Sequence, residues 1–352
     1  MKKILILGNQ GYLGSRLADY LLKEGYQVTG SDVGFFKNGI IYKSQNIRML
    51  RCEARNIEES DIIGYDLIIL LAGISNDPFG NLTTELIYDP TRQYAKKIAL
   101  LCKKNKIRFI FPSSCSVYGL GANYALDETG PTTPQTPYSL NKLQIEDDLK
   151  SISDKSFSPI ALRLATVYGM SPRIRFDLVI NMLCGMAITE KKIKLNSNGL
   201  AWRPHLYIDD VCEAFKSCIE WDYNGGELMI LNVGHEMNNK RIIDVAEIIS
   251  KLTNIQVEYL KTSNEETDLF KDSKINNGVD NRNYQVNFDK IENTLPGFKI
   301  KWSVEKGIEQ LIKDLIYYKI SSDQFKTRDF YRLQQLAYLF ENNKIDSNLI
   351  WR

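Results

Sequence analysis

The sequence predicts an α/β protein: a doubly wound parallel sheet with a smaller C-terminal α/β region beside it. Three observations carry that prediction. The first half alternates short apolar runs with helical patterns, the arrangement of a parallel sheet with helices on both faces. The first apolar run, residues 4–7, leads straight into Gly8-Asn9-Gln10-Gly11-Tyr12-Leu13-Gly14, and the next one ends at Asp32. From about residue 170 the alternation becomes less regular, which marks a second region.

The opening stretch reads as strand, glycine turn, helix, strand and acid. After Gly14 the apolar residues Leu17, Ala18, Leu21 and Leu22 keep a helical period until Gly25. A helix that starts at the carboxyl end of a parallel strand offers its free N–H groups to a pyrophosphate. Gly8 permits the tight turn, Gly11 lets the backbone approach the phosphates, and Gly14 allows helix and strand to pack closely. Asp32 follows Gly14 by eighteen residues, where a carboxylate accepts from the adenosine ribose hydroxyls. This context predicts a Rossmann-type dinucleotide-binding domain.

The rest of the chain can be placed in order. A loop over 33–45 precedes a short strand near 47–51. Residues 66–73 form a buried strand that runs into a small-residue turn, and the helix after it ends near 103–105. A strand over 107–111 ends in Pro112-Ser113-Ser114-Cys115-Ser116-Val117-Tyr118-Gly119. A loop rich in Pro and Thr, 129–137, leads to a helix over 138–152, and 159–164 is the next strand. Beyond it we expect helices over 175–187, 208–219, 241–252 and 303–318, a strand over 229–233, and a polar surface loop over 262–285. In the tail, Phe330, Leu333, Leu336, Ala337 and Phe340 recur at helical spacing, the pattern of a helix packed on the body. The expected division is 1–170 for the dinucleotide domain, 171–320 for a substrate region interleaved with it, and 321–352 for a helical tail.

Bulk properties narrow the function. The 352 residues are 43% hydrophobic, enough for a sizeable core, and 45 basic against 43 acidic side chains give a net charge of +2. That balance points away from nucleic acid and from an anionic membrane as partners. The apolar run after Lys2-Lys3 is too short for a signal peptide. The six cysteines include no C-x-x-C pair and there are two histidines, so no metal site is expected. Scattered cysteines suit a reducing cytoplasm.

Tyr138 and Lys142 lie four apart, on one face of the expected helix. A phenol has a reference pKa of about 10 and is a poor base at neutral pH. A neighbouring ammonium and an oxidised nicotinamide favour the phenolate. Ser114 stands at the carboxyl end of its strand, where open α/β sheets bind ligands, and its hydroxyl can orient the reacting oxygen toward Tyr138.

Taken together, these motifs resemble the extended short-chain dehydrogenase/reductase family, which includes UDP-galactose 4-epimerase and dTDP-glucose 4,6-dehydratase. The resemblance runs from Met1 to about residue 320. It adds Glu53-Ala54-Arg55-Asn56, Leu70-Leu71-Ala72-Gly73, the strand from Arg163 to Gly169, and Arg203-Pro204-His205-Leu206-Tyr207-Ile208-Asp209-Asp210. It implies NAD as cofactor, a nucleotide-diphosphate sugar as substrate and a homodimer. It also implies Ser114, Tyr138 and Lys142 as the catalytic group. Gly8, Gly11, Tyr12, Leu13, Gly14, Asp32, Glu53, Ala54, Leu71, Ala72 and Gly73 would bind the cofactor with Tyr138 and Lys142. Ser75, Ser116, Thr166, Arg203 and Arg282 would bind the substrate, the two arginines at its diphosphate.

Three departures from the family pattern matter. Cys115 and Ser116 stand where the dehydratases carry an Asp-Glu pair, so dehydration is not expected. Leu70 replaces a histidine, and Thr166 replaces an asparagine. GDP-mannose 3,5-epimerases and GDP-fucose synthases use a cysteine two residues before the motif tyrosine. Cys115 is three before Tyr118, and this offset argues against the same role. The expected activity is 4-epimerisation through transient oxidation at C4. A 4-keto-sugar reductase, a decarboxylase and a simple dehydrogenase would share the same residues. From another class, a non-catalytic dinucleotide sensor would tend to lose the Tyr/Lys pair that this chain keeps.

Overall fold

The computed structural model describes residues 1–75, 84–195, 197–259, 282–295 and 297–352. Twelve strands are assigned there: β1 (Lys3–Leu7), β2 (Gln27–Ser31), β3 (Arg48–Met49), β4 (Leu67–Leu70), β5 (Arg108–Ser114), β6 (Ile160–Leu164), β7 (Thr166–Tyr168), β8 (Ile193–Leu195), β9 (Trp202–Tyr207), β10 (Met229–Val233), β11 (Asn239–Arg241) and β12 (Val257–Tyr259). The α-helices are α1 (Tyr12–Lys23), α2 (Glu59–Ile62), α3 (Thr84–Lys104), α4 (Pro137–Ile152), α5 (Val179–Glu190), α6 (Ile208–Glu220), α7 (Ile242–Thr253), α8 (Asp289–Thr294), α9 (Val304–Tyr317), α10 (Ser322–Lys326) and α11 (Arg332–Glu341).

Seven strands form one parallel sheet in the order β10-β6-β5-β4-β1-β2-β3. Its central strands are apolar throughout because both faces are covered. Ile4 and Ile6 pack on the side of α1 and α6, while Leu5 and Leu7 pack on the side of α3 and α4. The order reverses between β1 and β4, and there the glycine turn opens into a crevice. β10 comes from beyond residue 171 yet pairs with β6, so the later part of the chain completes the sheet. A second apolar core gathers α5, α7, α9 and α10 around Phe176 and Leu183, next to two smaller sheets, β11-β9-β7 and β12-β8.

Three expectations need correction. The helix placed over 175–187 begins only at Val179. Its first residues are held by other partners: Phe176 N–H donates to Phe330 O, and Asp177 takes the Arg175 guanidinium. The tail is two short helices and a turn, with Leu336 and Leu339 buried while Ala337 and Phe340 face outward. Of the loop expected over 262–285, the stretch to residue 281 lies outside the described residues, and Tyr284 beyond it is buried beside Arg203 instead of on the surface.

Candidate active site

The glycine turn is sterically closed to other residues. Gly8 has φ +94°, and a Cβ there would lie 2.5 Å from the Ala72 nitrogen. A Cβ on Gly14 would collide with Gly8 O, so α1 could not start so close to β1. Gly11 is the N-cap of α1, and no side chain caps that end. Its free N–H groups are therefore available to an anion. Asp32 follows directly on β2. Its carboxylate accepts from Gln10 N–H at 2.9 Å and Gly34 N–H at 2.7 Å. Burial raises its pKa and those two N–H groups oppose the rise.

On the other side of the crevice, Thr136 and Ser139 form a capping box and Pro137 supplies the first turn of α4. Tyr138 is thereby fixed at the mouth and Lys142 one turn deeper. Lys142 Nζ donates to Pro112 O at 2.7 Å, 4.4 Å from the Phe111 ring centre and 5.6 Å from that of Tyr138. Burial pushes its pKa down to about 7, against the pull of Glu146. Ser114 ends β5, and its Oγ accepts the Ser116 N–H at 3.1 Å. That bond uses a lone pair and leaves the hydroxyl proton to donate into the cavity.

Behind α4 lies a buried polar network absent from the expectations. Arg163 Nη2 donates to Glu146 at 2.7 Å and its Nη1 to the Tyr118 hydroxyl at 2.9 Å. Ser113 Oγ also donates to Glu146, and Tyr118 donates to Asn232 Oδ1 at 2.9 Å. The network ties α4 to β5, β6 and β10. The signals for it in the sequence were the Lys142–Glu146 spacing and an arginine inside an apolar strand.

Two adjoining cavities meet at the glycine turn. The larger, about 540 Å³, is lined by Gly8, Gly11, Tyr12, Leu13 and Gly14, by Ser114, Tyr138 and Lys142, and by Ser75, Ser116, Thr166, Arg203 and Arg282. The smaller, about 130 Å³, is lined by Asp32, Glu53, Ala54 and Ala72. Leu71 and Gly73 border both. The Tyr12 side chain turns away and donates to Gly169 O at 2.9 Å, so it offers the cavity mainly backbone. Glu53 is held by Arg55 at 2.8 Å. Arg203 Nη1 donates to Trp202 O and to Arg282 O, which brings the two arginines together at the far end. Cys115 does not line the cavity. It is buried in the core with its Sγ on Arg163 O at 3.2 Å, and burial raises its thiol pKa. His205 is buried, and its pKa is pushed down to about 3 by burial and by Arg203, which leaves it neutral.

Residues the motifs did not reveal also reach the cavity. Arg175, within charge interaction of Tyr138, donates to Ser75 Oγ at 2.7 Å and to Asp177 at 2.9 Å. Arg332, from the tail, lines the same space. No signal local to either residue marks it.

The fold and the glycine cradle are those of a dinucleotide-dependent enzyme of the short-chain dehydrogenase/reductase type. The sequence profile of the NAD dependent epimerase/dehydratase family matches residues 4–234, and the chain belongs to that family. Its cofactor is therefore NAD, and the cradle at Gly8 and the uncapped start of α1 suit the cofactor's diphosphate. An uncharacterized UDP-glucose epimerase of Bacillus subtilis, YtcB, is 28% identical over 264 residues, covering 70% of this chain and 82% of the relative. Among solved structures, the NDP-hexosamine 5,6-dehydratase TunA has a TM-score of 0.75 at 20% identity, covering 92% of this chain and all of the other. The UDP-glucuronic acid 4-epimerase of Bacillus cereus, solved with UDP-glucuronic acid and NAD, has a TM-score of 0.70 at 22% identity, covering 90% of this chain and 99% of the other. At these identities the structural likenesses show the fold. Among the described residues no helix is long and apolar enough to cross a membrane.

Proposed function

We propose that this enzyme epimerises a nucleotide-diphosphate sugar at C4 and keeps its NAD throughout. Ser114, Tyr138 and Lys142 act on the sugar carbon. Ser114 donates to the reacting oxygen and aligns the hydroxyl with Tyr138. Tyr138, as phenolate, takes the hydroxyl proton, and the Lys142 ammonium one turn below stabilises the charge. NAD held in the glycine cradle would supply the hydride acceptor, and then the donor, for C4. Gly8, Gly11 and Gly14 hold its diphosphate, and Asp32 takes its adenosine ribose. Arg203 and Arg282 anchor the substrate diphosphate at the far end of the cavity, and the keto sugar turns over about that anchor. Tyr138 then returns the proton to the opposite epimer. A volume of about 540 Å³ is in the range of small-molecule sites.

The observation that carries this reading is what stands beside Ser114. Cys115 faces the core and Ser116 lines the cavity, so neither position offers the acid or base that elimination of water requires. The relative described as an uncharacterized UDP-glucose epimerase supports this reading, while relatives described as dehydratases share the family and the fold.

The test is incubation of the purified protein with a panel of UDP-, dTDP-, GDP- and ADP-sugars, without added cofactor, and product analysis by NMR. The expected result is a pair of C4 epimers at equilibrium. Consumption of added NADH by a 4-keto sugar nucleotide, with no conversion of any 4-hydroxy sugar, would show a reductase instead.

A further inference from the structure

The family match ends at residue 234, yet the last thirty residues fold back over the cofactor end of the crevice. The Trp351 indole donates to Val33 O at 2.7 Å and packs on Phe35, and Gln335 Nε2 donates to Phe35 O at 3.1 Å. Arg55, next to the Glu53-Ala54 wall, donates to Asn348 O at 2.7 Å and Leu349 O at 2.8 Å. The tail is thus pinned to the loop that follows Asp32. As a result Asn348 and Leu349 line the smaller cavity together with Asp32 and Ala54.

Arg332 is the tail residue that enters the larger cavity. It is 4% exposed, its guanidinium carbon lies 4.1 Å from the Phe36 ring centre, and Phe36 borders both cavities. Nη2 donates to Arg173 O at 3.3 Å, while Nη1 has no partner. The nearby acids are shared: Asp177 holds the Arg175 guanidinium and accepts the Arg332 backbone N–H at 3.3 Å, and Asp32 accepts two backbone N–H groups, so their charges offset the burial of the Arg332 guanidinium only in part. Burial, with the like charges of Arg175 and Arg173, pushes the Arg332 pKa down to about 9. A buried cation kept in such a place lowers stability unless an anion joins it. The junction of the two cavities, beside an uncapped helix start, is where the diphosphate of a dinucleotide joins its two halves. The substrate diphosphate has its own arginines at the far end, Arg203 and Arg282.

We propose that Arg332 binds the NAD diphosphate and that residues 322–352 form a clasp over the adenosine end, which holds the cofactor between turnovers. The proposal depends on the cofactor and not on which sugar is converted.

The test is calorimetric titration of cofactor-stripped full-length protein with NAD, ADP and adenosine, paired with thermal melting. Arg332→Ala should weaken NAD and ADP about 10- to 100-fold, the weight of a charge-assisted hydrogen bond. It should leave adenosine unchanged, and the cofactor-free melting temperature should stay level or rise. Arg332→Lys should restore part of the affinity for ADP. Leu349→Asp should weaken adenosine and NAD together. Wild-type NAD affinity in Arg332→Ala would overturn the assignment. So would an equal loss for ADP and adenosine with a lowered cofactor-free melting temperature, because that pattern belongs to a purely structural arginine.

Discussion

Arg163, in the network behind α4, and Arg332, on the tail, are 3% and 4% exposed. Their surroundings are opposite. Burial works against the charge of Arg163, but Glu146 and the Tyr118 hydroxyl more than compensate, so its pKa is raised. Burial also works against Arg332, the strongest charge acting on it is that of Arg175, Asp177 and Asp32 offset these only in part, and its pKa falls. The first arginine is complete within the protein and fixes the helix that carries Tyr138 and Lys142. The second is left with an unpartnered Nη1 in the cavity where we propose that the cofactor diphosphate binds. Equal burial therefore says little about a charged residue's purpose, whereas its unmet hydrogen-bonding capacity says much.

Since the Arg163 network serves to hold α4, the largest effect belongs to the residue α4 presents. Tyr138→Phe should cut turnover by about 10²- to 10⁴-fold, the usual weight of a general acid–base. It should still bind NAD with near-normal affinity, as titration would show. Turnover near that of the wild type would remove Tyr138 from the mechanism and leave the network without its assigned task.

Arg163→Met comes next. It strands the Glu146 carboxylate in the core, and denaturant unfolding should show a loss of about 3–5 kcal/mol. A second change, Glu146→Leu, should recover much of that loss, since replacing both partners of a buried pair is often close to neutral. A stability change in Arg163→Met no larger than that in Arg332→Ala would erase the contrast.

Lys142 gives the smallest effect on stability and a pH signature. Its pKa is about 7 in the folded protein against 10.5 for an unperturbed lysine. Between those values the unfolded chain holds a proton that the folded chain lacks, so stability rises with pH across the window. The cost is therefore full below pH ~7 and gone above ~10.5. Lys142→Met should raise the melting temperature of the cofactor-free protein at neutral pH and flatten its rise toward pH 10, while losing turnover. A lower melting temperature at pH 7 would mean that the bond to Pro112 O outweighs the burial of the amine.

The contrast also separates what the sequence reveals from what it conceals. Gly8, Gly11 and Gly14, Asp32, and the Tyr138–Lys142 pair have fixed local spacing, because one turn or one helix sets their geometry. The parallel sheet with helices on both faces follows from the alternation of apolar runs and helical patterns. Arg332 has no such signal. Its stacking partner, Phe36, lies in the loop after β2, nearly the whole chain away, and only tertiary packing joins them. Arg175 was concealed differently, because a helical pattern over 175–187 placed it on a regular helix. The backbone stays open at 175–178, where Phe176 pairs with Phe330 and Asp177 holds Arg175. In the tail, the apolar spacing points to Phe340 as buried, yet the ring is 40% exposed because α11 turns Leu336 and Leu339 inward.

The proposed internal return of the C4 hydrogen is tested most directly by its isotope content. The protein, with its own NAD and no added cofactor, is incubated with its sugar nucleotide in deuterated water, and both epimers are examined by NMR at equilibrium. The account predicts that C4 carries only protium in substrate and product, because the hydrogen that leaves the carbon is the one that comes back. Deuterium at C4 of either epimer would contradict it.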